Sequence, residues 1–510
     1  MKYPDHFSIN PRTPMKSNFK TMFAAWIVAA CLSSSVAQPG PDKLTFNPAR
    51  YSKQSVLFKD QLLTVRAYEN IVYVENPEDT SLQKLNVYVP EAYFEGKSIN
   101  GYTAATAPLF FPNRVGGYAP AQPATLLQRA KGHRPGMGPD NKRPSSVQVA
   151  LANGYVVASA GARGRTSTKN DDFIGKAPAG IVDLKAAIRY LKYNDKNMPG
   201  DANKIISNGT SAGGAMSSLL GATGNASDYE PYLKALGAAN ATDDIFAVSA
   251  YCPITNLDHA DIAYEWQFQG IYTYRRGGPP GSSQQGENVL TQEQVRVSEE
   301  LKKLFPAYLN RLQLTDTKGT VLTLNPDGEG NFKDLVKRYV AASAQQAIRS
   351  GADLSSLPWL TIRNGVVTDV DYRVYLTYLG RQKTPPAFDA LDLATPENQL
   401  FGNATTDKQH FTDFGAAHTT VSGKRVDVLP VKMMNPMNYI GQAGTKTAMY
   451  WRIRHGAKDK DTSLAIAVML GTYLTNKGYQ VDLAFPWDVP HSGDYDLDEL
   501  MKWIDGICRK

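Results

Sequence analysis

Residues 208–216 read NGTSAGGAM, and within them Gly209, Thr210, Ser211, Ala212 and Gly213 form a G-x-S-x-G where the apolar run KIIS gives way to a helix-forming segment. A sharp turn from strand into helix strains the serine backbone, and small residues two before and two after it keep the two elements from clashing. The hydroxyl is then held out above a sheet at a helix N-terminus. Such a hydroxyl is a weak nucleophile until a base takes its proton, and the base needs an acid to fix its tautomer. Ser211 is therefore the expected nucleophile of an acyl transfer, against the plainer alternative of a structural glycine turn.

The partners follow from chain order. In hydrolases built on this elbow the acid comes after the serine and the histidine comes last. Of seven histidines, only His491 lies beyond the segment RIRHGAKDKD, and it follows the strand-like YQVDLAFPW. His491 is the expected base. The acid belongs in the loop after the preceding strand, where His455-Gly456-Ala457-Lys458-Asp459 forms an H-G-x-x-D turn. Asp459 is preferred there to Asp461, and His455 reads as a structural residue at the strand end. A developing oxyanion needs backbone N–H donors. Ala212, directly after the nucleophile, supplies one. The loop after PLFFPN supplies the other, from Gly117 with Gly116 beside it. No metal-ligand spacing is present, and no metal or organic cofactor is expected.

These groups must be carried by rigid elements. Short β-rich runs (LLTVRAYENIVYV, LQKLNVYVPE, PLFFPN) open the pattern and fit an antiparallel edge. Thereafter VQVALANGYVVASAGARG reads as helix then strand, and IVDLKAAIRYLKYN carries apolar residues at helical spacing. IFAVSAYCPI, TAMYWRIRHG and YQVDLAFPW add strands, and DLDELMKWIDGI closes as a helix. Alternating strands and helices predict a mostly parallel sheet with helices on both faces, an α/β-hydrolase fold. Between about 257 and 440 the alternation fails, which predicts a large inserted cap (lid). The expected divisions are a signal peptide at 1–37, core at 38–256, cap at 257–440 and core again at 441–510.

A chain of 510 residues is longer than one core usually supports, in keeping with a large insertion. Its net charge of +7 is spread without basic blocks, so no nucleic-acid partner is expected. Lys16, Lys20 and the run MFAAWIVAACL before Ser35-Val36-Ala37 form a secretory signal, with Met15 a more typical start than Met1. VAAC, ending at Cys31, resembles a bacterial lipoprotein box. Cleavage before Cys31 would leave a lipid-anchored protein, and cleavage after Ala37 a soluble one; either is secreted, periplasmic or at the cell surface. No later apolar run reaches spanning length. Beyond Ala37 only Cys252 and Cys508 remain, too few for a disulfide framework.

Taken together, NGTSAGGAM, PNRVGGY, RHGAKDKDTSLAIA, PWDVPHSGDYDLDEL and KTPPAFDALDLATPENQLFGN resemble the bacterial tannases (tannin acyl hydrolases) over most of the chain. The resemblance implies a galloyl esterase whose triad falls on Ser211, Asp459 and His491. It also implies that Lys383 in QKTPPAFD, Glu397 in TPENQLFG and Asp461 in DKDTS bind the phenolic hydroxyls of a small phenolic ester. Without it, Lys383 and Glu397 would pass for solvated charges. The expected substrate is thus a galloyl ester or depside. The competing expectations are a feruloyl or general carboxylesterase, a peptidase, and a silent hydrolase fold that only binds phenolics.

Overall fold

The structure is a computed structural model that describes residues 43–127, 143–275 and 287–509. The expected signal peptide and the lipid-carrying Cys31 lie outside the described residues. Nine strands make the main sheet: β1 (Ser52–Phe58), β2 (Gln61–Val72), β3 (Lys84–Pro90), β4 (Pro108–Pro112), β5 (Val156–Ala160), β6 (Asp201–Thr210), β7 (Ala247–Tyr251), β8 (Tyr450–Arg454) and β9 (Gln480–Ala484). Their spatial order is β1-β2-β3-β5-β4-β6-β7-β8-β9. β1, β2, β3 and β5 pair antiparallel in turn. From β5 onward every pairing is parallel. Burial explains the split. PLFFP, VVASA and AVSAY are buried at every position, as strands covered on both faces must be, whereas β1 alternates exposed and half-buried residues.

Helices fill the crossovers: α1 (Ser146–Ala152), α2 (Ala179–Tyr193) and α3 (Ala212–Ala222) before β7, then α4 (Leu257–Phe268), α5 (Gln292–Arg311) and α6 (Asn331–Arg349) between β7 and β8. α7 (Leu464–Asn476) joins β8 to β9, and α8 (Leu497–Cys508) follows. On α2 the apolar stripe Ile181, Leu184, Ile188 and Leu191 is buried, as its spacing predicts. All eleven residues of α3 are buried, which suits its Ala-, Gly- and Ser-rich sequence to a site between layers. The region expected to be a cap occupies the β7–β8 connection. Its strands are confined to small hairpins, such as Leu360–Arg363 with Val366–Val370, outside the main sheet. Lys43–Lys510 form one compact unit, so this insertion is packed into the body of the domain.

The sheet register sets the site. Thr210 pairs with Tyr251, Tyr251 with Arg454, and Arg454 with Ala484. One transverse row therefore ends four parallel strands, and the residues after it (Ser211, Cys252, His455 and Phe485) emerge side by side at the carboxyl edge. Ligands of open α/β sheets bind at this edge.

A buried ion pair pins α2 beneath the edge. Asp183, with no exposed surface, accepts from the Arg163 backbone N–H at 2.7 Å, from its guanidinium at 2.8 Å and from Gln83 Nε2 at 2.8 Å. Removing one member of a buried pair strands the other charge, at a cost of about 3–5 kcal/mol. Asp183→Ala is expected to lose that much stability, read from the midpoint of urea unfolding.

Candidate active site

Ser211 sits at φ 62° and ψ −125°, a left-handed backbone that costs a non-glycine residue about 1–3 kcal/mol and persists only where neighbours impose it. Its N–H donates to the Tyr251 carbonyl at 2.9 Å, and its carbonyl accepts from Ala215 at 3.0 Å in the first turn of α3. Gly209 permits the fold-back, since a Cβ there would lie 2.2 Å from the Gly213 carbonyl oxygen. Asn113, just after β4, braces the elbow by donating from Nδ2 to the Gly213 carbonyl at 2.9 Å and to Ser217 Oγ at 3.0 Å.

The acid follows β8 and the base follows β9, two and three strands along the sheet from the nucleophile. His491 Nδ1 and Asp459 Oδ2 are 2.8 Å apart, and the other Asp459 oxygen accepts the Asp461 backbone N–H at 2.9 Å. Asp459 has no exposed surface, and burial alone would favour its neutral form. The charges of His491 and His455 overcome that and hold it down at about 2. An ionised Asp459 can only accept, so His491 Nδ1 carries a proton and Nε2 is the nitrogen left to exchange one. Burial opposes the imidazolium, but Asp459 raises the His491 pKa well above its ordinary value. His455 lies on the other side, its Nε2 3.6 Å from Asp459 Oδ2, fully buried at the strand end. The two loops are stitched together. Ala457 N–H donates to Pro486 and Lys458 N–H to Val489, both at 2.9 Å, and a Cβ at Gly456 would lie 2.1 Å from the Val489 oxygen.

The two expected oxyanion donors sit on α3 and on the loop after β4. Ala212 opens α3, so its N–H lies in the first turn, where helices have no internal partner to offer. Gly117 has φ +53°, and a Cβ at either Gly116 or Gly117 would meet nothing within 4 Å, so this loop faces open space. Arg165 Nε donates to the Gly117 carbonyl at 2.9 Å, and Tyr118 donates to the Ile254 carbonyl at 2.8 Å.

Lys383, Glu397 and Asp461 gather on the same side. Lys383 Nζ donates to Asp461 Oδ2 at 3.1 Å and lies 4.0 Å from the centre of the Phe388 ring. Gln382 Nε2 reaches Asp461 Oδ1 at 3.2 Å. Glu397 is buried in the first turn of Pro396–Leu400. That burial raises its carboxyl pKa while Lys383 pulls the other way.

Several residues that sequence reasoning passed over hold these groups. The buried Tyr264 donates to the Lys460 carbonyl at 3.1 Å and accepts the backbone N–H of Lys383 at 3.1 Å and of Gln382 at 3.3 Å. One hydroxyl thus ties the lysine segment to the acid loop. The adjacent Glu265 forms a fully buried ion pair with Arg381, whose Nε donates to the Lys383 carbonyl at 2.6 Å. Asp261, one turn earlier, accepts from Phe388 at 2.7 Å and Asp389 at 3.0 Å. The signal was there to read: polar residues at i, i+3 and i+4 on a helix with no solvent face. Cys252 and Cys508, the two cysteines beyond Ala37, are both free thiols. Among the described residues, ligand atoms of Cys252, Asp459 and His491 lie within 4.8 Å of one another.

A family model described as BD-FAE, an α/β-hydrolase family, matches residues 137–302. No curated protein matches. Among solved structures, a tannase from Fusobacterium nucleatum is 48% identical, with a TM-score of 0.85 over 91% of this chain and 99% of that one. A tannase from Lactobacillus plantarum is 47% identical, with a TM-score of 0.86 over 91% of this chain and all of the other. A tannin acyl hydrolase in complex with ethyl gallate matches at 47% identity, with a TM-score of 0.85 over 91% and 99% of the two chains.

The Tyr264 hydroxyl sets the spacing of Lys383 and Asp461, and its loss leaves a buried carbonyl and two amides short of a partner. At about 1–3 kcal/mol for such a loss, Tyr264→Phe is expected to lower stability by that amount, read from the midpoint of urea unfolding.

Proposed function

The chain belongs to the bacterial tannases, the tannin acyl hydrolases, and is a carboxylic ester hydrolase; on that premise we propose that it is an exported serine esterase that cleaves galloyl ester and depside bonds to release gallic acid. In this proposal Ser211 Oγ attacks the galloyl carbonyl while His491 Nε2 takes its proton. Asp459 keeps the imidazole in register and stabilises the imidazolium. The Ala212 and Gly117 N–H groups receive the oxyanion. The alcohol leaves with the proton held by His491, and water, activated by the same imidazole, frees gallic acid and restores Ser211. Lys383, Glu397 and Asp461 bind the ring hydroxyls.

The observation that carries the proposal is the double use of one short loop. The Asp461 backbone supports the Asp459 carboxylate, while the Asp461 side chain pairs with Lys383. Chemistry and ring recognition then share a frame a few ångströms across. Related enzymes in complex with ethyl gallate and with 3,4-dihydroxybenzoate support a site built for a hydroxylated ring. Charged groups bonded to hydroxyls contribute about 1.5–3 kcal/mol each, and a site left unpaired by the wrong ring can reject it by up to about 10⁴-fold.

Initial rates on methyl gallate, methyl ferulate and methyl benzoate test the proposal. Gallate should lead by about 10³-fold or more, and Ser211→Ala should abolish turnover on all three. Equal rates would leave an esterase of another specificity. The two aspartates should separate cleanly. Asp459→Ala is expected to lower kcat about 10⁴-fold. Asp461→Ala is expected to lower kcat/KM for methyl gallate about 10- to 100-fold while sparing methyl benzoate, since it removes recognition and leaves the base in place. Export is tested by the N-terminal mass of the protein recovered outside the cytoplasm, which also distinguishes cleavage after Ala37 from lipidation at Cys31.

A further inference from the structure

Cys252 has no part in the ester chemistry, yet the register puts it between the nucleophile strand and the acid strand. It follows Tyr251 at the end of β7, its N–H donates to Arg454 at 2.6 Å, and its backbone takes φ +35°. Sγ contacts the Ser492 carbonyl at 3.4 Å and lies 3.9 Å from His491 Nε2. The same Nε2 is 3.9 Å from Asp461 Oδ2. The Cys252 thiol and the Asp461 carboxylate therefore each approach the same imidazole nitrogen, from separate segments.

We propose that Cys252, His491 and Asp461 form a binding site for a soft divalent cation, zinc or cadmium in chemical class, whose occupancy switches the esterase off. Tetrahedral zinc, with Zn–S about 2.3 Å and Zn–N about 2.0 Å, holds those two ligand atoms about 3.5 Å apart. The 3.9 Å gaps require a few tenths of an ångström of closure, within side-chain rotation. Asp459 on Nδ1 already provides the outer carboxylate that metal-bound histidines use to fix Nε2 as the ligating atom. The thiolate selects soft and borderline ions over magnesium or calcium. Binding releases the Cys252 proton to solvent, together with the Nε2 proton where His491 is an imidazolium, and the ion occupies the lone pair that Ser211 needs. It also draws Asp461 away from Lys383, so occupancy opposes galloyl binding as well as turnover. The site stands on side-chain geometry and does not depend on which ester is hydrolysed.

Cadmium alone is the probe, added to the purified full chain. Two things are expected: an ultraviolet thiolate-to-cadmium absorption band that saturates at one equivalent, and parallel loss of methyl gallate hydrolysis. Ser211→Ala, inactive as an esterase, should keep the band, so binding is read apart from turnover. Cys508→Ser should keep both effects. Cys252→Ala, with Cys252→Ser as the size-matched check on folding, should retain basal hydrolysis, lose the band and need at least tenfold more cadmium for half-inhibition. A band that survives in Cys252→Ala, or inhibition that this variant does not relieve, would overturn the site.

Discussion

A buried carboxylate at the end of β8 is the constraint on which the rest depends. Asp459 has no water to solvate it, so its charge exists only because donors surround it: His491 Nδ1–H on one oxygen and the Asp461 N–H on the other. Satisfying it fixes the tautomer and plane of His491. It also fixes the backbone of Asp461, and hence where that side chain points. The hydrogen bonds between residues 457–458 and 486–489, and the close pass of Gly456 under Val489, keep the two loops at the spacing this carboxylate requires.

Helix α4 extends that order into the insertion. Asp261, Tyr264, Glu265 and Gln267 project polar groups from a helix buried on nearly every side. Asp261 meets the backbone of Phe388 and Asp389, Tyr264 that of Lys383 and Lys460, and Gln267 that of Leu464, while Glu265 meets the Arg381 guanidinium. Burying so many polar groups is tolerable because both carboxylates, the phenol and the Gln267 carbonyl oxygen are paired. The same pairing removes the freedom of the segments they hold. Lys383 and Asp461, 78 positions apart in the chain, are neighbours because one helix grips both of their loops.

How much of this was legible varied with the range of the interaction. The parallel sheet could be read because burial on both faces writes itself as continuous apolar runs such as VVASA, whereas PLFFP, grouped by sequence with the antiparallel edge, pairs in parallel on both sides, and β1 (SKQSVLF) was not singled out. Ser211, Asp459 and His491 could be named because a local turn signature, chain order and a scarcity of histidines leave few choices. Lys383 and Glu397 could not be separated from surface charges by any local pattern, and only resemblance singled them out. Tyr264 and Cys252 escaped altogether. Their placement is a product of helix packing and strand register, which bring together residues with no shared motif.

The position of α4 bears on where this molecule can be cut. By chain order the insertion begins at residue 257, one turn after the sheet edge, and a graft of a relative's lid would naturally take that residue as its seam. The wiring places the seam further on. Asp261 through Gln267 belong mechanically to the hydrolase body as much as to what covers it, so a transplanted lid that brings its own α4 must also bring the matching 381–389 and 460–464 segments. In this architecture the covering helix and the loops it grips are inherited as a block.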